Sequence, residues 1–515
     1  MGQRYHPRAI LPASLSPRGY HDFALYWARA LVSNIGSRMD AIATSWLLCR
    51  RGGPRAAHTL QTRLACATWL FIGLLLLGSP AFAETSLDPR FGIDEGLSDP
   101  ATMAEMGAGW DRVLVPWFRI QPRGPDDFSG FGRALPEAAI RAEVARGVRV
   151  AGVLHYTPAW AARKAEDGLR AVPRDLDLPF DDPGSLLGRF VYETVRYFAG
   201  QIDDWLVWNE PDFRLGDLDS DAAVTWLGTD EDLAQLLKVA YLAAKQANPR
   251  ATVSFPATTL WVDAGHNRPP LYARVLDILG RDPEAAAHGF YHDAVSVNVY
   301  HRPNEIPLVH ALFKDIQRDR GLDKPVWLTE TNAMPVDDRD AACWERHVHE
   351  PYPTTLREQA AFAVQALALA SAVGYERIAF WRMIDGRACQ QAGLWGAVRD
   401  DGSRRPVADA LRTAIRAFAG FSRAQLSLTG PVYEVVLDKP SGQRVTALWN
   451  GQGASTSIEL TRHGSRPRLV SISGVERPLD GDSWTIELAA ATARFPGDPP
   501  GAYYIGGEPV LVVED

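Results

Sequence analysis

Two glutamates stand at the ends of apolar segments, where their carboxyl groups could work as a pair. Glu210 follows Asn209 and precedes Pro211 after one apolar run, and Glu330 closes a second run that begins at Val326. Two such groups can cleave an acetal C–O bond, because a carboxylic acid protonates the departing oxygen while a carboxylate attacks the carbon. Surroundings that push the two pKa values apart set these roles. We therefore predict a catalytic pair of Glu210 and Glu330.

Both segments belong to a longer alternation of short apolar runs and amphipathic helical stretches between residues 90 and 420. Several runs are continuously apolar, which is typical of parallel strands that are covered on both faces. The predicted strands span residues 90–94, 112–116, 148–155, 204–208, 252–256, 294–300, 326–330 and 377–381. This alternation predicts an α/β fold, a (β/α)8 TIM barrel. A doubly wound open sheet is the alternative, and the lack of a glycine-rich nucleotide-binding turn after any strand disfavours it.

In such a barrel the two glutamates approach one mouth from opposite sides. Glu210 follows the fourth predicted strand and Glu330 ends the seventh, and the C-terminal ends of barrel strands line the active site. Their carboxyl groups could then face each other across one bound sugar. Cleavage with retention of configuration requires a separation of about 5–5.5 Å between the two groups.

The hydrophobic pattern of the sequence changes after residue 421. Short β-type runs at residues 432–437, 445–449, 457–460, 469–472, 483–488 and 509–513 replace the helical pattern, and turn signals such as Asn450-Gly451 separate them. We therefore divide the chain into a catalytic barrel at residues 84–421 and a small β-sandwich at residues 422–515.

The N-terminal region has the pattern of a secretion signal. Arg63 precedes an apolar run over residues 64–77, and Ala81-Phe82-Ala83 follows it. A run of about 14 residues is short for a membrane span, so we predict a signal peptide at residues 63–83 that is removed after Ala83. An uncleaved anchor is the alternative. Residues 1–62 resemble the opening of a transporter, and we interpret them as a doubtful extension from the gene model.

This signal predicts a secreted or periplasmic protein with no stable membrane partner after cleavage. Cys343 and Cys389 remain in the predicted mature region. An even and sparse cysteine count in an exported protein predicts one disulfide. Two free buried thiols are the alternative.

Charge and composition narrow the possible partners. The net charge is −8, and residues 1–83 hold nine arginines and two acidic residues, so the rest of the chain is still more acidic. An acidic body disfavours nucleic acid, which is bound through Lys and Arg. The 16 tryptophans fit either core packing or flat platforms for sugar rings. No His/Cys cluster has zinc spacing, and we predict neither metal nor cofactor.

From about residue 90 to residue 421 the chain resembles the clan A glycoside hydrolases. The resemblance rests on Asn209-Glu210 after the fourth strand and on Glu330 at the end of the seventh. Within the clan it is most similar to family 39, through residues 156–160 (Tyr-Thr-Pro-Ala-Trp), residues 208–212 (Trp-Asn-Glu-Pro-Asp) and the C-terminal sandwich. That family includes β-xylosidases, α-L-iduronidases and exopolysaccharide endoglycosidases. The resemblance implies a retaining hydrolase of an oligo- or polysaccharide, with Glu210 as acid/base and Glu330 as nucleophile.

The resemblance also implies a set of supporting side chains. It places Asn209 on the sugar 2-hydroxyl, Arg112 on the nucleophile carboxylate, and Trp381 under the sugar that reacts. Tyr300 would orient the nucleophile. His155 and Trp160 are weaker candidates for substrate contacts.

One position departs from the clan. Asn298 stands two residues before Tyr300, where the clan often has histidine, although an Asn amide can also donate a hydrogen bond. Two alternatives for the function stay open. One is endo action on an exopolysaccharide, and the other is a non-catalytic glycan-binding protein, which the presence of both glutamates disfavours.

Overall fold

Eight parallel strands, paired in sequence order, close into a barrel. The computed structural model describes residues 87–217, 224–342, 344–347, 350–385 and 393–515. The barrel strands are β1 (Phe91–Ile93), β2 (Trp110–Pro116), β3 (Arg149–His155), β4 (Ile202–Val207), β5 (Thr252–Thr258), β6 (Ala294–Tyr300), β7 (Val326–Asn332) and β8 (Arg377–Phe380). The predicted (β/α)8 fold is confirmed, and the closed ring excludes an open doubly wound sheet.

Helices surround the barrel and follow its strands. They are α1 (Pro100–Met106), α2 (Trp117–Ile120), α3 (Glu137–Ala145), α4 (Leu186–Phe198), α5 (Asp230–Ala247), α6 (Trp261–Gly265), α7 (Leu271–Leu279), α8 (Glu305–Arg318), α9 (Leu356–Val373) and α10 (Pro406–Phe418). Short 3-10 turns lie at Gly96–Ser98, Ala159–Ala161, Ala165–Arg170, Ala286–Tyr291 and Trp344–Arg346. Helices α5 and α9 both begin with a capping box, formed by Thr229 with Asp232 and by Thr355 with Glu358.

The strand ends decide where polar side chains emerge. Every residue of β6 and β7 is buried, as expected for parallel strands that are covered on both faces. The bounds of β6 match the prediction, whereas β4 ends at Val207, so Glu210 lies in the loop beyond it. Strand β2 begins at Trp110 and β7 continues to Asn332, so Arg112 and Glu330 lie within strands.

A second, antiparallel region follows α10. Its strands are β9 (Arg423–Thr429), β10 (Val432–Asp438), β11 (Arg444–Asn450), β12 (Thr456–Thr461), β13 (Arg468–Ser471), β14 (Glu476–Pro478), β15 (Ser483–Leu488) and β16 (Val510–Glu514). The larger sheet has six strands in the order β14-β13-β16-β11-β10-β9, and β12 pairs with β15 in a separate two-stranded antiparallel sheet. Apolar side chains of both sheets share one core cluster, which agrees with the predicted sandwich. Strands β9 and β14 were absent from the prediction.

The larger sheet also packs against the barrel. Helix α9 lies along β9 and β10. Its Gln365 donates to the carbonyl of Gly507 at 3.0 Å and accepts from the amide of Gly506 at 3.1 Å. Because a buried amide satisfies both of its ends across this contact, the second region is fixed on one side of the barrel.

Several predictions concern residues beyond those that the structure describes. They are the N-terminal extension at 1–62, the signal peptide at 63–83, and the pairing of Cys343 with Cys389. Within the described ranges, no helix combines the length and apolarity that crossing a membrane requires.

Candidate active site

The C-terminal ends of the barrel strands bring most of the predicted site residues together. Arg112 and Tyr300 bond Glu330, and Arg112 also bonds Asn209. Asn298 donates to Glu210 and pairs with Glu330 across strands β6 and β7, so the two groups lie side by side. Glu210 is 0% exposed and Glu330 is 3% exposed. Two carboxyl groups at such burial need charged or hydrogen-bonding partners to offset their lost hydration.

Glu330 has two donors, one for each carboxyl oxygen. Arg112 contacts Oε1 through Nη2, and the hydroxyl of Tyr300 donates to Oε2. Burial and the charge of Glu330 raise the pKa of Tyr300 well above its usual value, so the phenol keeps its proton and remains a donor. Charge-assisted bonds of this kind stabilise the ionised carboxylate.

Glu210 lies in different surroundings. The amide of Asn298 donates to its Oε1 at 2.8 Å, whereas Oε2 is buried without a hydrogen-bond partner among the described residues. Burial raises the pKa of Glu210 well above the ordinary value, and the negative charge of Glu330 raises it further. The protonated acid is therefore the favoured form of this group.

The backbone of Glu210 is held in a sparsely populated conformation. Its φ is 50°, in the left-handed region that β-carbons disfavour. Two contacts hold it there: its amide donates to the carbonyl of Ala257 at 2.8 Å, and its carbonyl accepts from the hydroxyl of Thr225. Strained backbone of this kind persists where the surrounding structure imposes it, commonly at functional sites.

Strand β6 contacts both glutamates. Asn298 and Tyr300 are two residues apart and therefore project to the same side of the strand. The hydroxyl of Thr329 donates to Oδ1 of Asn298 at 2.8 Å, which turns the amide nitrogen of Asn298 toward Glu210. Asn298 thus donates to Glu210, while Tyr300 alone of this pair contacts Glu330. The clan pattern led us to consider Asn298 and Tyr300 together as possible donors. In the structure they bond different carboxyl groups, Asn298 that of Glu210 and Tyr300 that of Glu330.

Arg112 joins residues from three other strands or loops. Its Nη1 donates to Oδ1 of Asn209 at 3.4 Å, and its Nη2 lies 3.1 Å from Oδ2 of Asp94 as well as against Glu330. The two carboxylates raise the pKa of Arg112 against the opposing effect of burial. The guanidinium is therefore a fixed positive charge beside Glu330.

Asp94 is a site residue that the sequence analysis did not identify. It directly follows β1, and only 1% of it is exposed. Burial raises its pKa well above the ordinary value, while the charge of Arg112 acts in the opposite direction. The sequence did contain one indication of its role. Asp94 ends the first predicted strand, the same kind of position that identified the two glutamates.

Aromatic side chains form one wall of the mouth. Trp381 directly follows β8 and meets Tyr300 edge to face, with ring centroids 5.9 Å apart. Trp395, another residue that the sequence analysis missed, packs against both rings, with centroids 5.3 Å from each. Asn332 donates to the carbonyls of Trp381 and Trp395 and so fixes the loops that carry them. The Trp381–Arg382 peptide bond is cis.

The two weaker candidates occupy different places. His155 stacks on Tyr156 and meets Trp208 edge to face, and burial with the nearby charge of Arg112 lowers its pKa to about 3. It is therefore a neutral ring at the edge of the site. Trp160 donates to the carbonyl of Gln121 at 3.0 Å and packs on Trp117, so its described contacts are with the barrel wall. No group of three or more potential metal ligands occurs among the described residues.

Solved structures share this fold at low sequence identity. A family 39 glycoside hydrolase from Bacteroides cellulosilyticus WH2 is 15% identical with a TM-score of 0.59, and the match covers 84% of this chain and 82% of that one. A glucosidase from Croceicoccus marinus is 14% identical with a TM-score of 0.55, covering 84% and 96%. A family 30 subfamily 8 xylanase from Clostridium acetobutylicum is 12% identical with a TM-score of 0.51, covering 82% and 95%. No protein-family model and no curated protein matches the sequence.

Proposed function

We propose that this protein is a glycoside hydrolase that cleaves O-glycosidic bonds of an oligo- or polysaccharide with retention of configuration. The observation that carries the proposal is the contrast between two neighbouring carboxyl groups. Burial and a nearby negative charge favour the protonated form of Glu210. Two donors, Arg112 and Tyr300, each bond one carboxyl oxygen of Glu330 and orient this group for attack. A ready acid beside a ready nucleophile is the combination that double displacement requires.

In the first step a carboxylate oxygen of Glu330 attacks the anomeric carbon. The bond between that carbon and the glycosidic oxygen breaks, and the proton of Glu210 passes to the departing oxygen. A glycosyl ester on Glu330 results. Arg112 and Tyr300 hold the nucleophile in place before the attack.

In the second step water attacks the same carbon from the side that the leaving group vacated. Glu210, now ionised, accepts a proton from the water, and the ester bond to Glu330 breaks. Two inversions at one carbon return the original configuration. The similar solved structures, which include a family 39 glycoside hydrolase, a glucosidase and a xylanase, support the same reaction class.

A panel of aryl glycosides and polymeric glycans tests the proposal, with proton NMR of the first anomer that is released. We expect retained configuration, and we expect Glu330→Ala to lose roughly six orders of magnitude in kcat, the size of loss known for an enzyme without its nucleophile. Glu210→Ala should lose most activity on poor leaving groups but keep the first step on activated aryl glycosides. Wild-type turnover in Glu330→Ala, or an inverted product, would contradict the mechanism.

We also propose that the protein acts outside the cytoplasm. The charged start, apolar run and small-residue site at residues 63–83 support export. N-terminal sequencing of protein recovered from the periplasm or medium should begin at Glu84. Retention of residues 63–83 in the recovered protein would favour the uncleaved anchor.

A further inference from the structure

Asp94 occupies a fixed position at the mouth of the barrel. Its amide donates to the carbonyl of Phe380 at 3.0 Å, and its carbonyl accepts from the amide of Met383 at 2.9 Å. These bonds tie the end of β1 to both sides of Trp381. The carboxyl group lies on the same guanidinium nitrogen of Arg112 that contacts Glu330. Asp94 is therefore a direct neighbour of the proposed nucleophile.

The carboxyl group of Asp94 has few bonding partners among the described residues. Both oxygens are buried, and within the described residues neither accepts a hydrogen bond of good geometry; Oδ2 forms the ion pair with Arg112. A carboxylate can accept about four hydrogen bonds, and a buried acceptor without them is destabilising. Such a group beside a reacting centre is satisfied when a bound ligand supplies the donor.

We propose that Asp94 binds a ring hydroxyl of the sugar whose anomeric carbon reacts. The inference rests on the proposed function and deepens it, because it names a feature of the substrate. The guanidinium of Arg112 already bonds two acidic side chains, Asp94 and Glu330, through one nitrogen, so this nitrogen offers no unshared charge to a substrate carboxylate. The sugar therefore presents an uncharged hydroxyl to Asp94 rather than a carboxylate.

A simpler role for Asp94 would be to hold Arg112 in place. That role predicts equal losses for all sugars when Asp94 is replaced. A hydroxyl ligand predicts a loss that depends on one hydroxyl only, since a substrate that lacks this hydroxyl has nothing more to lose. Single-deoxy analogues of the best sugar therefore distinguish the two roles.

The experiment compares the parent aryl glycoside with its single-deoxy analogues. In the wild-type enzyme, removal of the hydroxyl bound by Asp94 should lower kcat/KM roughly 10- to 100-fold, as expected when a buried polar group is left without its partner. In Asp94→Ala this penalty should fall below about threefold, while the penalties at other ring positions stay. Asp94→Asn keeps one acceptor oxygen in place of two and should retain an intermediate penalty.

Asp204→Asn is the matched control. Asp204 is a buried acid on β4 that pairs with Arg149 at the start of β3, at the end of the barrel opposite the mouth, so its replacement should keep the wild-type penalties. Persistence of every deoxy penalty in both Asp94 variants would overturn the inference. Calorimetric Kd values of the parent and deoxy monosaccharides give the same comparison without turnover. Absence of wild-type hydrolysis would instead count against the proposed function, so the two failures are distinct.

Discussion

Single side chains account for the opposite character of the two carboxyl groups. Glu330 receives a charged donor and a phenol, and Glu210 receives one amide while its second oxygen has no hydrogen bond among the described residues. The charge of Glu330 acts on Glu210 in turn, because an ionised neighbour makes a second ionisation unfavourable. A change of charge at Glu330 therefore alters the pKa of Glu210.

Asn298 provides a pH test of this coupling. Its amide bonds the carboxyl group of Glu210 and lowers the pKa that burial raises. Asn298→Ala removes that bond, so the pKa of Glu210 should rise further. Because the acid must be protonated, activity falls as pH rises through this pKa. The alkaline limb of kcat/KM should therefore move to higher pH in the variant.

A pH profile measured on one aryl glycoside checks this shift. Asn248→Ala is the control, because the amide of Asn248 bonds Asp203 at 2.7 Å near the start of β4, away from the mouth. Its alkaline limb should stay at the wild-type position. A limb that stays put or moves to lower pH in Asn298→Ala would show that the amide does not act on the titrating acid.

At the scale of elements, the spacing and expected burial of apolar residues predicted most of the barrel strands. In β6 the valines alternate with Ser296 and Asn298, and this two-residue period predicted its bounds because it is the period of a strand. The loop after β4 was harder, since the strand ends before Trp208 and positive φ values at Trp208 and Glu210 set the direction of the chain. Backbone of that kind depends on contacts from Thr225 and Ala257, which are distant in sequence.

The bonding partners of individual site residues could not be predicted from the sequence, because they also depend on residues that are distant in the chain. The amide of Asn298 faces Glu210 because Thr329 on the neighbouring strand occupies its oxygen. In the sequence, nothing distinguishes Asp94 from other polar residues at strand ends. The structure shows that Arg112 lies beside it. Strand order placed these residues at one mouth, but rotamers and cross-strand bonds decided which side chains meet.

Helix α9 offers a test of stability at this scale. Thr355 accepts from the amide of Glu358 at 3.2 Å, and the amide of Thr355 donates to the Glu358 carboxyl group at 2.7 Å. Thr355→Ala should lower the free energy of unfolding by about 1 kcal/mol, because the first-turn amide loses its acceptor. KM should not change, since the cap lies at the start of a helix outside the barrel. Urea unfolding measures the loss.

Thr355→Ser separates the cap from other effects of the substitution. Serine keeps the hydroxyl that accepts from the Glu358 amide, so its free energy of unfolding should stay close to that of the wild type. An equal loss in the serine and alanine variants would mean that the methyl group, and not the cap, stabilises this end of the helix.

At the scale of the whole molecule, the C-terminal region reaches the strand that contacts both glutamates. Tyr352 lies between the ring of His301, 4.4 Å away, and the ring of Phe495, 4.7 Å away. Arg302 donates to Asp498 at 3.0 Å. His301 and Arg302 directly follow Tyr300, so residues between β15 and β16 stabilise the turn after the residue that bonds Glu330.

We therefore expect the sandwich to support activity as well as stability. Asp498→Ala leaves the guanidinium of Arg302, which is 12% exposed, without its closest carboxylate. The free energy of unfolding should fall by about 3 kcal/mol, because breaking a buried pair strands one charge. The turn after Tyr300 should loosen, so kcat should fall several-fold with little change in KM. Urea unfolding and initial rates on one glycoside test both effects.

Glu508→Ala provides the comparison that isolates the buried pair from mere contact between the two regions. Glu508 also bridges them, through Arg357, but that arginine is 72% exposed, and an exposed pair contributes less than about 1 kcal/mol. This variant should keep both stability and kcat near wild-type values. If Glu508→Ala lost as much kcat as Asp498→Ala, contact between the two regions in general, and not the buried pair, would explain the loss of kcat. If Asp498→Ala lost stability alone, the sandwich would brace the barrel without orienting Tyr300.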